Sequence, residues 1–122
     1  MKKFFLPVIA LAFMACNGDS SKTETPTVAD ITKDPNYQKG LELEAKNDCK
    51  TCHSLDVKIT GPAFREIANK YAGMPDTIVS HLAGKIIAGG SGVWGAIPMT
   101  PHPALPKDDA ETIVRYILLL KK

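Results

Sequence analysis

Apolar residues recur at three- and four-residue intervals in four stretches of this 122-residue chain, a periodicity that predicts amphipathic helices. The first stretch opens at Asp34-Pro35, an N-cap followed by proline at the first helical position, and carries Tyr37, Gly40, Leu41 and Ala45 toward Cys49. Glycine inside a helix costs about 1 kcal/mol relative to alanine, so the expected use of Gly40 is close approach of a second helix. Gly61-Pro62 opens the next stretch, with Phe64, Ile67, Ala68 and Tyr71 on one face. Met74-Pro75-Asp76 starts a third, which carries Ile78, Val79, Leu82 and Ile86 until Gly89-Gly90 stops it. In the last, Pro106 and Asp108-Asp109 mark the first turn and Lys121-Lys122 the end, matching the helix dipole. Its buried face is Ala110, Ile113, Val114, Ile117 and Leu118; Glu111 and Arg115 are placed for an exposed i, i+4 pair. Alternating, strand-like patterning is almost absent, so the fold class is all-α, with about four helices.

The N-terminus follows a different logic. Met1-Lys2-Lys3 is a short positive segment, and Phe4 to Ala15 is an apolar run of about a dozen residues, the size of a signal-peptide core. A membrane-spanning helix needs about 20 residues, so this run reads as a cleaved signal over 1–15. Phe13-Met14-Ala15-Cys16 resembles a bacterial lipoprotein signal, with Cys16 as the lipidated first residue of the mature chain; ordinary cleavage after Ala15 is the alternative. Residues 16–33 then read as the lipidated terminus and a flexible linker, rich in Ser, Thr, Asp and Lys, without apolar periodicity. Such a tether reaches at most about 55–60 Å extended and roughly 20–25 Å as a coil. Residues 34–122 form one domain.

Charge narrows the function little. The 15 basic and 13 acidic side chains include Lys2 and Lys3, so without the signal the two signs balance at 13 each. Nothing here points to nucleic-acid binding.

Within the domain, Cys49-Lys50-Thr51-Cys52-His53 is the attachment pattern for a c-type haem. Two thiols three residues apart lie on one side of a helical turn, where each can add to one vinyl group of the macrocycle. The histidine, four residues from the first cysteine, points to the same side and can bind the iron. A thioredoxin-like redox pair would want βαβ surroundings, and a structural zinc site four ligands, to which only His81 and His102 could add. Cysteine arithmetic agrees with the haem reading. Of three cysteines, one goes to lipid and two to haem, and covalent haem attachment, like a lipoprotein signal, belongs outside the cytoplasm. A small domain also has limited core, and a covalently held macrocycle would supplement it.

Between the third and last helices, Ser91 to Leu105 shows no period and is punctuated by glycine and proline. Loops of this length in small domains are usually functional. Met99 sits there between Pro98 and Thr100-Pro101, so its backbone is restricted and its thioether is a candidate sixth ligand, opposite His53. Once Met1 and Met14 leave with the signal, Met74 is its only rival, at an ordinary helix start.

Taken together, Cys49-Lys50-Thr51-Cys52-His53, Gly61-Pro62-Ala63-Phe64, Gly92-Val93-Trp94-Gly95-Ala96-Ile97-Pro98-Met99 and the C-terminal helix resemble the class I cytochromes c of the small bacterial c-551/c-552 type. The resemblance covers residues 34–122. It implies a small cytochrome c fold wrapped around one covalent haem c, with Cys49 and Cys52 as thioethers and His53 and Met99 as axial iron ligands. It implies that the Pro62 carbonyl orients His53, that the Trp94 indole N–H and Lys85 hold a haem propionate, and that Gly40 meets Tyr116 at a helix crossing. Lys85 equally suits a solvated helix face, and Trp94 a cover for the haem edge. The family often has asparagine three residues after the ligand methionine; here His102 stands there, either near the sulfur or as an exposed loop residue. The implied function is one-electron transfer in an extracytoplasmic respiratory chain, not enzymatic catalysis. Its partners are redox proteins, and the expected form is a monomer held on the periplasmic side of a membrane by its N-terminal lipid. The alternatives are a haem subunit docked permanently on a dehydrogenase or oxidase, and an open-site haem peroxidase or gas-binding protein.

Overall fold

The computed structural model describes residues 28–122. The expected signal peptide, Cys16 and most of the expected linker therefore lie outside the described residues. Its elements are α1 (Val28–Ile31, a single turn), α2 (Pro35–Lys46), α3 (Phe64–Tyr71), α4 (Thr77–Ala88), β1 (Gly90–Gly92), β2 (Gly95–Met99) and α5 (Lys107–Leu119), with a 3₁₀ turn at Cys49–Thr51. Four main helices carry the domain, as the periodicity predicts. None of the described helices is long and apolar enough to cross a membrane.

Local chemistry sets each boundary. Asp34 is extended and its carboxylate accepts the Asn36 N–H at 2.8 Å, a cap that satisfies one orphan donor of α2. At the other end Asn47 turns back on the Leu43 carbonyl with its side chain, at 2.8 Å, and Asp48 adopts left-handed φ of 55°. The helix therefore stops at Lys46, and Cys49 begins a separate 3₁₀ turn. The second helix starts later than Gly61-Pro62, at Phe64, where the Glu66 carboxylate accepts the Ala63 N–H at 2.8 Å.

α5 is the central element, packing on α2, α3 and α4. Ala110, Ile113, Val114, Tyr116 and Ile117 are buried in it, and each fully buried aliphatic side chain of this size contributes about 1.5–3 kcal/mol. The α2–α5 crossing depends on Gly40: a Cβ there would fall onto Cβ of Tyr116 and within 2.9 Å of the Thr112 carbonyl oxygen. Tyr37 closes the crossing edge-to-face on Tyr116, ring centroids 5.4 Å apart.

Four expectations need correction. On α2 the buried positions are Gly40, Leu43 and Glu44, while Ala45 is exposed. Glu111 and Arg115 do not pair with each other: Glu111 meets Lys107 at 3.7 Å, and Arg115 reaches Asp76 at 3.2 Å. The segment read as a linker through Lys33 ends earlier. Val28–Ile31 forms a turn, closed by Lys33 and Asp34 N–H groups on the Asp30 and Ile31 carbonyls, and Ile31 packs against the core. Lastly, the aperiodic stretch after α4 holds an antiparallel ribbon pairing Gly90 with Met99 and Gly92 with Gly95. Glycine and proline erase the alternation that would announce it, but not the hydrogen bonding.

Candidate haem site

Cys49, Cys52 and His53 are brought together by the 3₁₀ turn and the two residues after it. The Cys52 and His53 N–H groups both donate to the Cys49 carbonyl, at 3.2 and 3.0 Å, so the motif closes on itself. Both thiols are half-buried and unbridged. Burial, aided by the Glu44 charge, pushes the Cys49 thiol up to about 11. A disulfide oxidoreductase needs the opposite, a depressed thiol that is nucleophilic at neutral pH. The redox-pair reading therefore loses its chemistry, whereas a thiol kept protonated is compatible with becoming a thioether.

His53 is buried, and its orientation is fixed from three directions. Its Nδ1–H donates to the Pro62 carbonyl at 2.7 Å, which leaves the Nε2 lone pair for a metal. Phe64 stacks on the ring at a 16° interplanar angle, centroids 5.4 Å apart. Gly61 covers it so closely that a Cβ would lie 2.9 Å from Nδ1 and 3.0 Å from Nε2. Backbone bonds hold this cradle: Gly61 N–H to the Cys52 carbonyl at 2.7 Å, Phe64 N–H to the Ser54 carbonyl at 2.9 Å. Arg65 pairs with Asp56 at 2.7 Å, and Lys122 with the same carboxylate at 3.4 Å, tying the loop after His53 to α3 and to the C-terminus.

The Met99 side is built differently. Met99 ends β2, half-buried, and is fixed through the ribbon register with Gly90. Trp94, at the tip, packs edge-on against Tyr71 of α3, centroids 6.3 Å apart, and the Lys70 ammonium lies 4.8 Å from its ring centre. Lys70 is thus the cation the fold brings to Trp94, a contact that sequence reasoning missed; its only signal was its place beside Tyr71. Lys85 is exposed on α4. His102 is anchored by its backbone N–H on the Ile86 carbonyl at 3.1 Å and lines a groove of about 430 Å³ between α2 and the 101–106 segment. Cys49, Cys52, His53 and Met99 are not among the walls of that groove.

These residues fit a covalently attached haem. A histidine with one nitrogen engaged and the other free, two unbridged thiols on one turn, and a conformationally restricted thioether are the donor set that the group requires. Exposed large apolar side chains flank both candidate ligands in sequence: Leu55, Val57 and Ile59 after His53, and Val93 and Ile97 before Met99. Left in water, such surface is unfavourable; against a porphyrin it is not.

Comparison with known proteins gives the same class. The Cytochrome c family profile matches residues 37–121. Cytochrome c-552 of Nitrosomonas europaea is 45% identical over 84 residues, covering 69% of this chain and 81% of that protein. Cytochrome c-551 of Azotobacter vinelandii is 45% identical over 82 residues, 67% of this chain and 98% of its own. The crystal structure of wild-type Nitrosomonas europaea cytochrome c552 superposes with a TM-score of 0.62 at 46% identity, covering 66% of this chain and 99% of that one. A small helical domain built around a C-x-x-C-H turn is thus the class, an electron carrier with covalently bound haem c rather than an enzyme. The chain belongs to the cytochrome c family.

Proposed function

We propose that this protein carries single electrons in an extracytoplasmic respiratory chain, exported by its N-terminal signal and held at a membrane by lipid on Cys16. The observation that supports a closed, electron-transferring site is the buried His53 Nδ1–H bond to the Pro62 carbonyl at 2.7 Å, which makes the imidazole a strong and pre-aimed axial donor. Bound through Cys49 and Cys52, the haem supplies an iron that accepts and returns one electron. The protein's part would be to hold the iron through both the His53 imidazole and the Met99 thioether, leaving it no open site. No bond forms or breaks as the electron passes, and no substrate needs access to the metal. His/Met ligation favours a relatively high potential among haem proteins. The indole N–H of Trp94 and the ammonium of Lys85 would hold a propionate, and the exposed apolar residues after His53 would line the edge where electrons enter and leave.

Absorption spectra of the haem-loaded protein in both oxidation states, with and without carbon monoxide, test this reading. It predicts a low-spin spectrum with the weak long-wavelength ferric band of iron–thioether bonding, unmoved by carbon monoxide, and loss of that band in Met99→Ala. A high-spin spectrum that shifts with carbon monoxide contradicts it and turns attention to substrates. For the anchor, Cys16→Ser should release the protein from membranes without altering the spectrum.

A further inference from the structure

Glu44 is the one charged side chain among the described residues with no solvent exposure. It lies on the α2 face that packs on α5, and neither of its carboxylate oxygens accepts a hydrogen bond from the described groups. Among the described residues its sole counter-charge is the Lys50 ammonium, 3.2 Å from Oε2 and off the line of a hydrogen bond. Lys50 lies between the two motif cysteines and is 62% exposed, so the pair is lopsided, with a desolvated anion and a solvated cation. Such an arrangement is poor for stability alone, because desolvating the carboxylate costs more than one off-axis partner returns.

We propose that Glu44, partly offset by Lys50, acts as a fixed buried charge beside the Cys49 attachment point and holds the haem potential below the value this fold would otherwise give. The inference rests on the haem attachment and His53/Met99 ligation described above. Water screens the ammonium of Lys50 but not the carboxylate of Glu44, so the field left over inside the protein is negative. That field already acts on neighbouring groups. After burial itself, the Glu44 charge is the next cause that pushes the Cys49 thiol up to about 11 and the Tyr116 hydroxyl up to about 12. The same field favours the more positive ferric site over the ferrous one. Glu44 touches no reacting atom. It is a positioning charge, acting through space on the electron equilibrium.

The test is an equilibrium redox titration of the holoprotein against a mediator of fixed potential, in the parent, Glu44→Gln, Lys50→Gln and Lys50→Glu. Glu44→Gln should shift the equilibrium toward reduced haem on the order of three- to tenfold. Lys50→Gln should shift it toward oxidised haem by less, about two- to threefold, and Lys50→Glu further in the same direction. Loss of stability alone would not produce opposite signs. A Glu44→Gln protein that keeps the iron–thioether band and the parent potential overturns the proposal, as do shifts of one sign for Glu44→Gln and Lys50→Gln. Should Glu44→Gln fail to fold, the two Lys50 variants decide, and potentials equal to the parent's overturn it. A parent holoprotein without the iron–thioether band would instead overturn the ligation reading on which the inference stands.

Discussion

The two sides of the candidate haem site place their proposed ligands by different means. His53 is buried in a cradle in which a side-chain hydrogen bond, a stacked ring and a glycine contact each fix the imidazole. Met99 stands at the end of a small ribbon whose residues are almost all exposed. Only the register with Gly90 and the proline-restricted backbone define its place. The first arrangement sets orientation through packing, and the second through backbone stiffness. A ligand packed that tightly should tolerate almost no substitution around it, whereas one presented by a ribbon should be lost without loss of the fold.

The largest effect expected from this contrast is at Gly61. Gly61→Ala forces a Cβ against the His53 ring, and overpacking of this kind costs about 1–3 kcal/mol before any loss of ligation is counted. Urea denaturation of the holoprotein should show that destabilisation, together with a poor yield of attached haem. Met99→Ala should do the reverse. Far-UV circular dichroism should stay that of the parent, while the reduced protein gains carbon monoxide binding and the potential falls.

The Glu44–Lys50 pair should rank next. Removing the counter-ion in Lys50→Ala leaves an unpaired buried carboxylate, at a cost of about 1–2 kcal/mol given the exposure of the ammonium, whereas the double variant Glu44→Leu/Lys50→Val should be neutral or more stable. Chemical denaturation of the three proteins checks the order. An alkaline titration gives a finer comparison. Burial and Glu44 raise the Tyr116 hydroxyl to about 12 from its ordinary 10, so the folded state keeps this proton longer than the unfolded one. The resulting stability is intact below pH 10 and is lost as pH rises from 10 to 12; Tyr116→Phe should flatten that part of the decline. Last and smallest, Lys107→Ala should change stability by no more than about 0.5 kcal/mol, since its ion pair with Glu111 is on the surface.

Much of this was legible in the sequence because helix periodicity and C-x-x-C-H are both local signals. The four main helices, a close approach at Gly40 and the motif turn follow from residue types at fixed spacing, while Tyr116 as the partner of Gly40 came from the family resemblance. The ribbon was not legible. Gly90, Gly92 and Gly95 all have positive φ and carry no side chain to alternate, so pairing left no trace in hydropathy. Val28–Ile31 was lost because a single turn is too short to show a helical period, although its Ile31 packs against the core. Glu44 is the instructive miss. It stands seven residues after Tyr37 on the stripe that includes Gly40 and Leu41, a buried position by spacing, although a carboxylate ordinarily belongs on a solvated face. Tertiary packing, not local propensity, decides such a position. The Lys70–Trp94 contact is likewise long-range and invisible until α3 and the ribbon meet.

The axial pair is the central claim, and methyl NMR of the ferrous holoprotein labelled with ¹³C-methyl methionine tests it most directly. With the proposed signal removed, only Met74 and Met99 remain to report. A methyl group held over a porphyrin face is shifted far upfield by its ring current. The account predicts one such resonance, abolished by Met99→Leu and retained in Met74→Leu. Two methyl signals at ordinary positions, or an upfield signal that disappears with Met74, would contradict it.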